Sequence, residues 1–132
     1  MLNNKIRVIT YIRVGSKEQD AIYKKTEIMK ALLDEHKDEW EIIDETFDYG
    51  FSGRKDYRPA LNYVLEMCKE KKVDMVVTLS PAMLARDVLL YKDIYTTIRN
   101  SKVELYIKDL KCNTSKQVEN YNSNLRIPKL AI

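Results

Sequence analysis

Apolar and polar positions along this chain alternate between two rhythms. The stretch 5–12 carries Val8, Ile9, Tyr11 and Ile12 in a β-branched and aromatic run that reads as a first strand. From residue 16 to about 36 the apolar positions fall at helical spacing, with Ile22, Thr26, Met29 and Leu33 on one face. Ser16 followed by Gln19 has the form of a capping box at the start of that helix. Residues 40–47 return to a strand pattern, and 48–56 form a polar loop bearing Gly50, Ser52 and Gly53. Pro59 suits a first helical turn, and Leu61, Val64, Leu65 and Cys68 carry an apolar stripe on to Lys72. Residues 74–79, with Met75, Val76 and Val77, are a short apolar run of the kind buried in a parallel sheet. Ser80-Pro81 has the form of a cap and first-turn proline. Tyr91, Ile94, Tyr95 and Ile98 give the next helix its core face, and 103–107 reads as a fourth strand.

Strands alternating with helices predict an α/β fold: a mostly parallel open sheet of about four to five strands, flanked by helices on both sides. Functional groups in such a sheet gather beyond the carboxyl ends of the strands. Residues 1–110 are expected to form this domain. From residue 111 the pattern breaks into asparagines (Asn113, Asn120, Asn122, Asn124) and serines, so 111–132 is expected to be a polar tail, flexible or ordered by a partner.

Composition narrows the chemistry more than it selects it. The 132 residues are 45% hydrophobic, enough for one real core. A net charge of +3 permits contact with nucleic acid but supplies no basic stripe, and Lys24, Lys25, Lys69, Lys71 and Lys72 are interleaved with acids as on a solvated helix surface. Cys68 and Cys112 have neither disulfide nor metal spacing, and Cys68 falls at an apolar helical position. His36 is the only histidine, which leaves little material for a His-based triad or a multi-histidine metal site. No apolar run reaches the roughly 18 residues of a membrane span, and Met1 to Lys5 leads straight into a strand without a signal-peptide pattern. A reducing, cytoplasmic setting with no metal, no cofactor and no membrane is the expectation.

Three polar segments fall at strand ends. The first holds Arg13, Gly15, Ser16 and Gln19; the second runs from Asp48 through Ser52 to Arg58-Pro59; the third runs from Leu79 to Arg86-Asp87. Arginine, flexible backbone and a helix start at one point are what gripping a phosphate requires. The guanidiniums of Arg13, Arg58 and Arg86 are expected to surround a tetrahedral oxyanion as bidentate, always-charged donors. Each residue also has an ordinary reading. Arg13 suits a solvated strand end, Ser16 and Gln19 a helix cap, Ser52-Gly53 a turn, Arg54 a solvent-facing charge and Arg86 an ion pair with Asp87. Tyr91 and Tyr95 suit core or interface rather than base stacking.

The order and spacing of these segments resemble the resolvase/invertase serine recombinase catalytic domain over roughly residues 5–110. Tyr11-Ile-Arg13-Val-Gly15-Ser16 with Gln19 is similar to that family's Tyr-x-Arg-Val-Ser-Ser/Thr-x-x-Gln. Asp48, Gly50, Ser52, Gly53 and Arg58-Pro59 resemble its Asp-x-Gly-x-Ser-Gly loop and following Arg-Pro, and residues 82–86 its Asp-Arg-Leu-x-Arg motif. The resemblance implies site-specific DNA recombination: a serine hydroxyl attacks a backbone phosphate, a covalent phosphoserine link forms, and strands exchange within a tetramer without metal or cofactor. It assigns Arg13, Arg58 and Arg86 to charge neutralisation, Gln19 to positioning the attack, and Ser52 to the phosphate site.

Gly15 stands where the family keeps its nucleophilic serine, Ala82 replaces the aspartate and Met83 the first arginine of the third motif. Ser16 occupies the next Ser/Thr place, but its Cα lies about 3.8 Å further along the chain, against the roughly 3–3.5 Å approach that reacting atoms need. Its hydroxyl is also the natural helix cap. The family's long dimerisation helix and DNA-binding domain have no counterpart before Ile132. The reading is therefore a recombinase-type domain of mobile-element DNA recombination or integration, catalytically impaired, acting by binding DNA or a related recombinase chain. Two alternatives stay open: an active recombinase using Ser16, and a phosphate- or nucleotide-binding α/β domain.

Overall fold

A computed structural model describes residues 4–15, 18–50, 57–110 and 112–113. Strand β1 (Ile6–Val14) leads to helix α1 (Gln19–Glu35), β2 (Trp40–Tyr49), α2 (Pro59–Lys69), β3 (Met75–Thr78), a four-residue helical turn α3 (Pro81–Leu84), α4 (Val88–Asn100) and β4 (Glu104–Ile107). A 3-10 turn, Lys108–Leu110, precedes a short β5 (Cys112–Asn113). The sheet order is β2-β1-β3-β4-β5. The first four strands are parallel and β5 returns antiparallel along β4. The expected mostly parallel α/β sheet is the observed one.

Burial on both faces explains the apolar density of the strands. Along β1 the side chains alternate. Ile9 and Tyr11 join Leu61, Val64, Cys68, Ile94 and Ile98 in one core, beneath α2 and α4. Val8, Ile12 and Val14 join Met29, Leu32, Trp40 and Met83 in the other, beneath α1. The Cys68 thiol is fully buried, and that burial pushes its pKa up to about 12, so it stays an unreactive thiol.

Several boundaries differ from the sequence reading. β1 and β2 run two residues further, because the ladder continues through Arg13 paired with Asp48 and Val14 with Tyr49. Helix α1 begins at Gln19 with Glu18 as N-cap and no side-chain cap bond, its first backbone bond running from Ile22 N–H to Glu18 C=O at 3.3 Å. Met29 and Leu32 are its buried positions, with Ile22 and Leu33 packed beside them. Ser80-Pro81 opens only α3, which stops at an extended Ala85, and Asp87 caps α4 by accepting from the N–H groups of Leu89 (2.8 Å) and Leu90 (3.4 Å). The expected Ser16 cap and the tail after 113 lie outside the described residues.

α2 and α4 each end in a left-handed lysine. Lys71 (φ 57°) and Lys102 (φ 61°) hold the position that glycine fills most easily. After α4, Lys102 N–H reaches Arg99 C=O (2.9 Å) and Val103 N–H reaches Ile98 C=O (3.2 Å), the paired bonds of a Schellman closure. Lys102→Gly is expected to raise stability by about 0.5–1 kcal/mol, the relief of left-handed strain less the added freedom of the unfolded chain. Urea unfolding checks it.

At the opposite end of the sheet from the strand tips, Asp74 accepts from Arg7 three times: backbone N–H at 2.8 Å, Nε at 3.0 Å and Nη2 at 2.9 Å. The Arg7 side-chain bonds, with its backbone bond and charge, hold the Asp74 carboxyl below the usual carboxylate range against a smaller opposing effect of burial. A carboxyl depressed in the folded state contributes stability above its unfolded value of 3.8, and that contribution is lost as pH falls through its lower folded value. Asp74→Asn is expected to flatten that part of the acid limb in a pH series of urea midpoints.

Candidate active site

β1 sits between β2 and β3, and the chain leaves it in one direction and reaches β3 from the other side. The crevice beyond the carboxyl ends of β1 and β3 is the place where such a sheet binds ligands. Arg13 and Gly15 stand at the first tip, and Thr78, Leu79 and Ser80 at the second.

Beneath this crevice lies a buried polar network that the sequence did not disclose. The Tyr11 hydroxyl donates to Asp48 Oδ2 at 2.7 Å and accepts from Arg58 Nη2 at 2.8 Å and Nε at 3.3 Å. Asp48 also accepts from the backbone N–H groups of Ala60 (2.9 Å) and Leu61 (3.0 Å), so a strand residue caps the start of α2. Arg58 completes the network by donating from Nη2 to Met83 C=O at 2.6 Å and from Nη1 to Leu84 C=O. Burial, and then the bond to Asp48, hold the Tyr11 phenol far above its ordinary pKa, while Arg58 pulls the other way. The phenol stays protonated and serves as a bridge between a buried carboxylate and a buried guanidinium.

Arg58 is thus only 8% exposed, and four of its five N–H groups are engaged by protein oxygens. The sequence reading gave it to the phosphate; its donors instead hold together the end of β1, the start of α2 and the segment leading to Arg86. Arg86 itself is exposed. Gln19, the first residue of α1, is exposed as well. Ser16 and Ser52 lie outside the described residues.

Arg13 differs from both other arginines. Its side chain leaves β1 on the Tyr11 face and lies directly over Gly50: a Cβ built there would meet Arg13 Nη2 at 2.6 Å and Cζ at 2.8 Å. Arg13 Nε is buried and has no hydrogen-bond partner among the described residues. A buried donor left unsatisfied costs its desolvation penalty and calls for an explanation. Beside it, a Cβ added at Gly15 would meet nothing within 4 Å among the described residues.

Met83 takes no part in the crevice. Its side chain is 7% exposed within the core under α1, with Thr78 Oγ1 at 3.5 Å from its sulfur. Ala82, next to it, is exposed.

The chain matches the family described as Resolvase, N terminal domain, over residues 8–125, and it belongs to that family. Its fold is similar to that of a resolvase family site-specific recombinase from Streptococcus pneumoniae, with 25% identity, TM-score 0.71, and 92% of this chain and 91% of that one covered. It is also similar to the N-terminal catalytic domain of TP901-1 integrase, at 21% identity and TM-score 0.66, covering 92% and 99%. A third likeness is the C-terminal catalytic domain of ISC1926 TnpA, an IS607-like serine recombinase, at 19% identity and TM-score 0.64, covering 89% and 79%. No curated protein gives a significant match. The domain is therefore a resolvase-type serine recombinase domain, and no helix among its described residues is long and apolar enough to cross a membrane.

Proposed function

We propose that this domain holds a backbone phosphate of DNA without cutting the strand, and that it acts in mobile-element recombination through DNA or a related recombinase chain, in the cytoplasm. The observation that carries this reading is the pairing of two features at one strand tip. Arg13 keeps a buried N–H that no described residue satisfies, while Gly15 puts no oxygen where the family's attacking serine belongs. Covalent catalysis ends with loss of the attacking group, whereas a guanidinium keeps its attraction for phosphate. Arg13 and Arg86 are the direct phosphate ligands in this proposal, and Arg58 holds the Arg86-bearing segment in place through the carbonyls of Met83 and Leu84.

Duplex DNA binding measured over a salt series tests it. Each phosphate contact removed lowers the slope of log affinity against log salt by about 0.9. Arg13→Ala and Arg86→Ala are each expected to lower it by that amount and to weaken binding alike for different sequences. Slopes equal to the unmodified chain's for both variants reject the phosphate site.

A further inference from the structure

We propose that Gly50 is a positioning residue for Arg13, and that its missing side chain is the seat on which the guanidinium lies. This rests on the reading of Arg13 as a phosphate ligand. Cα pairing sets Arg13 opposite Asp48, and two residues later Gly50 lies against the end of the arginine. An ideal Cβ at Gly50 falls 2.6 Å from Nη2, 2.8 Å from Cζ and 3.1 Å from Nε of Arg13, so all three nearest atoms belong to that one group. The glycine is not there for a left-handed turn, since its φ lies outside that region. Its role is space. The atoms a methyl would strike are the far end of a flexible side chain, so the fold yields cheaply while the guanidinium moves. Alanine at this position therefore displaces the charge and leaves the sheet intact. A displacement of this size matters because a bidentate guanidinium–phosphate contact depends on a fixed fork geometry.

The test uses the full chain with Gly50→Ala, Arg13→Ala and the double variant, measured in three ways: urea midpoint, the Nε–H resonance of Arg13, and the salt slope of binding to a mixed-sequence duplex. Gly50→Ala is expected to keep the urea midpoint, move the Arg13 Nε–H resonance, and lower the salt slope by about 0.9, as loss of one phosphate contact does. In the Arg13→Ala background it should lower the slope no further, a coupling that a merely structural role for Gly50 does not produce. An unmoved resonance, or an unchanged slope in Gly50→Ala while Arg13→Ala lowers it, overturns the proposal. If Arg13→Ala itself leaves the slope unchanged, the phosphate reading falls, and the resonance alone decides whether Gly50 seats the guanidinium.

Discussion

Asp48→Ala is expected to cost the domain about 3–5 kcal/mol, the loss typical of removing one partner from a buried charged pair. Asp48 is 4% exposed and accepts three hydrogen bonds, from the Tyr11 hydroxyl and from the first two amides that α2 offers it. Its removal uncaps that helix, leaves the Tyr11 proton without an acceptor, and strips the buried Arg58 of its nearby counter-charge. A domain of this size has about 5–15 kcal/mol in all, so the variant should unfold at a much lower urea concentration. Tyr11→Phe keeps both charges and removes only the bridge, with an expected cost nearer 1–3 kcal/mol. Urea unfolding of both variants checks the ranking. A loss below about 1 kcal/mol for Asp48→Ala would mean that the network is not what fastens α2 to the sheet.

Two of the three departures from the family's motif, Gly15 and Met83, are expected to differ sharply in how well the fold accepts their reversal. Gly15→Ser introduces a side chain where no atom of the described residues lies within 4 Å and where φ is outside the left-handed region. Its stability should stay within about 0.5–1 kcal/mol of the unmodified chain. Met83→Arg has no such room. Met83 lies in the core with its sulfur near Thr78 Oγ1, and its own carbonyl already accepts from the buried Arg58. A second guanidinium there is desolvated, unpaired and beside a like charge, and the expected loss is about 3 kcal/mol or more. Thermal or urea unfolding of the two single variants measures the contrast. The serine position is open to a hydroxyl, whereas the arginine position has been absorbed into the packing.

The layered α/β architecture was legible because burial on both sheet faces writes itself into sequence as dense β-branched runs, and the helices keep a one-sided stripe. Strand ends were less legible. Arg13 and Asp48 look like loop residues, yet the β1–β2 ladder runs through them, and their polarity belongs to the site rather than to a turn. Ser80-Pro81 is a genuine local start signal, but the turn it opens ends after four residues and Asp87 begins the next helix. The role of Arg58 was hidden for a different reason. Its partners Tyr11, Met83 and Leu84 are far from it in sequence, and no spacing rule reveals which way a guanidinium turns. The signal that was available is Asp48 itself, an acid just before a glycine loop and eleven residues ahead of the first-turn proline of α2, a placement suited to capping that helix from outside. The seat for Arg13 at Gly50 depends on interatomic distance, which only coordinates supply.

Retention of the phosphate grip without the attacking oxygen is tested most directly by trapping. The full chain is incubated with a nicked suicide duplex, denatured, and inspected for protein covalently joined to DNA, alongside Ser16→Ala. The expected result is no adduct from either protein, with equal DNA affinity before denaturation. An adduct formed by the unmodified chain and abolished in Ser16→Ala would contradict it, because the neighbouring hydroxyl would then be performing the chemistry that Gly15 lacks.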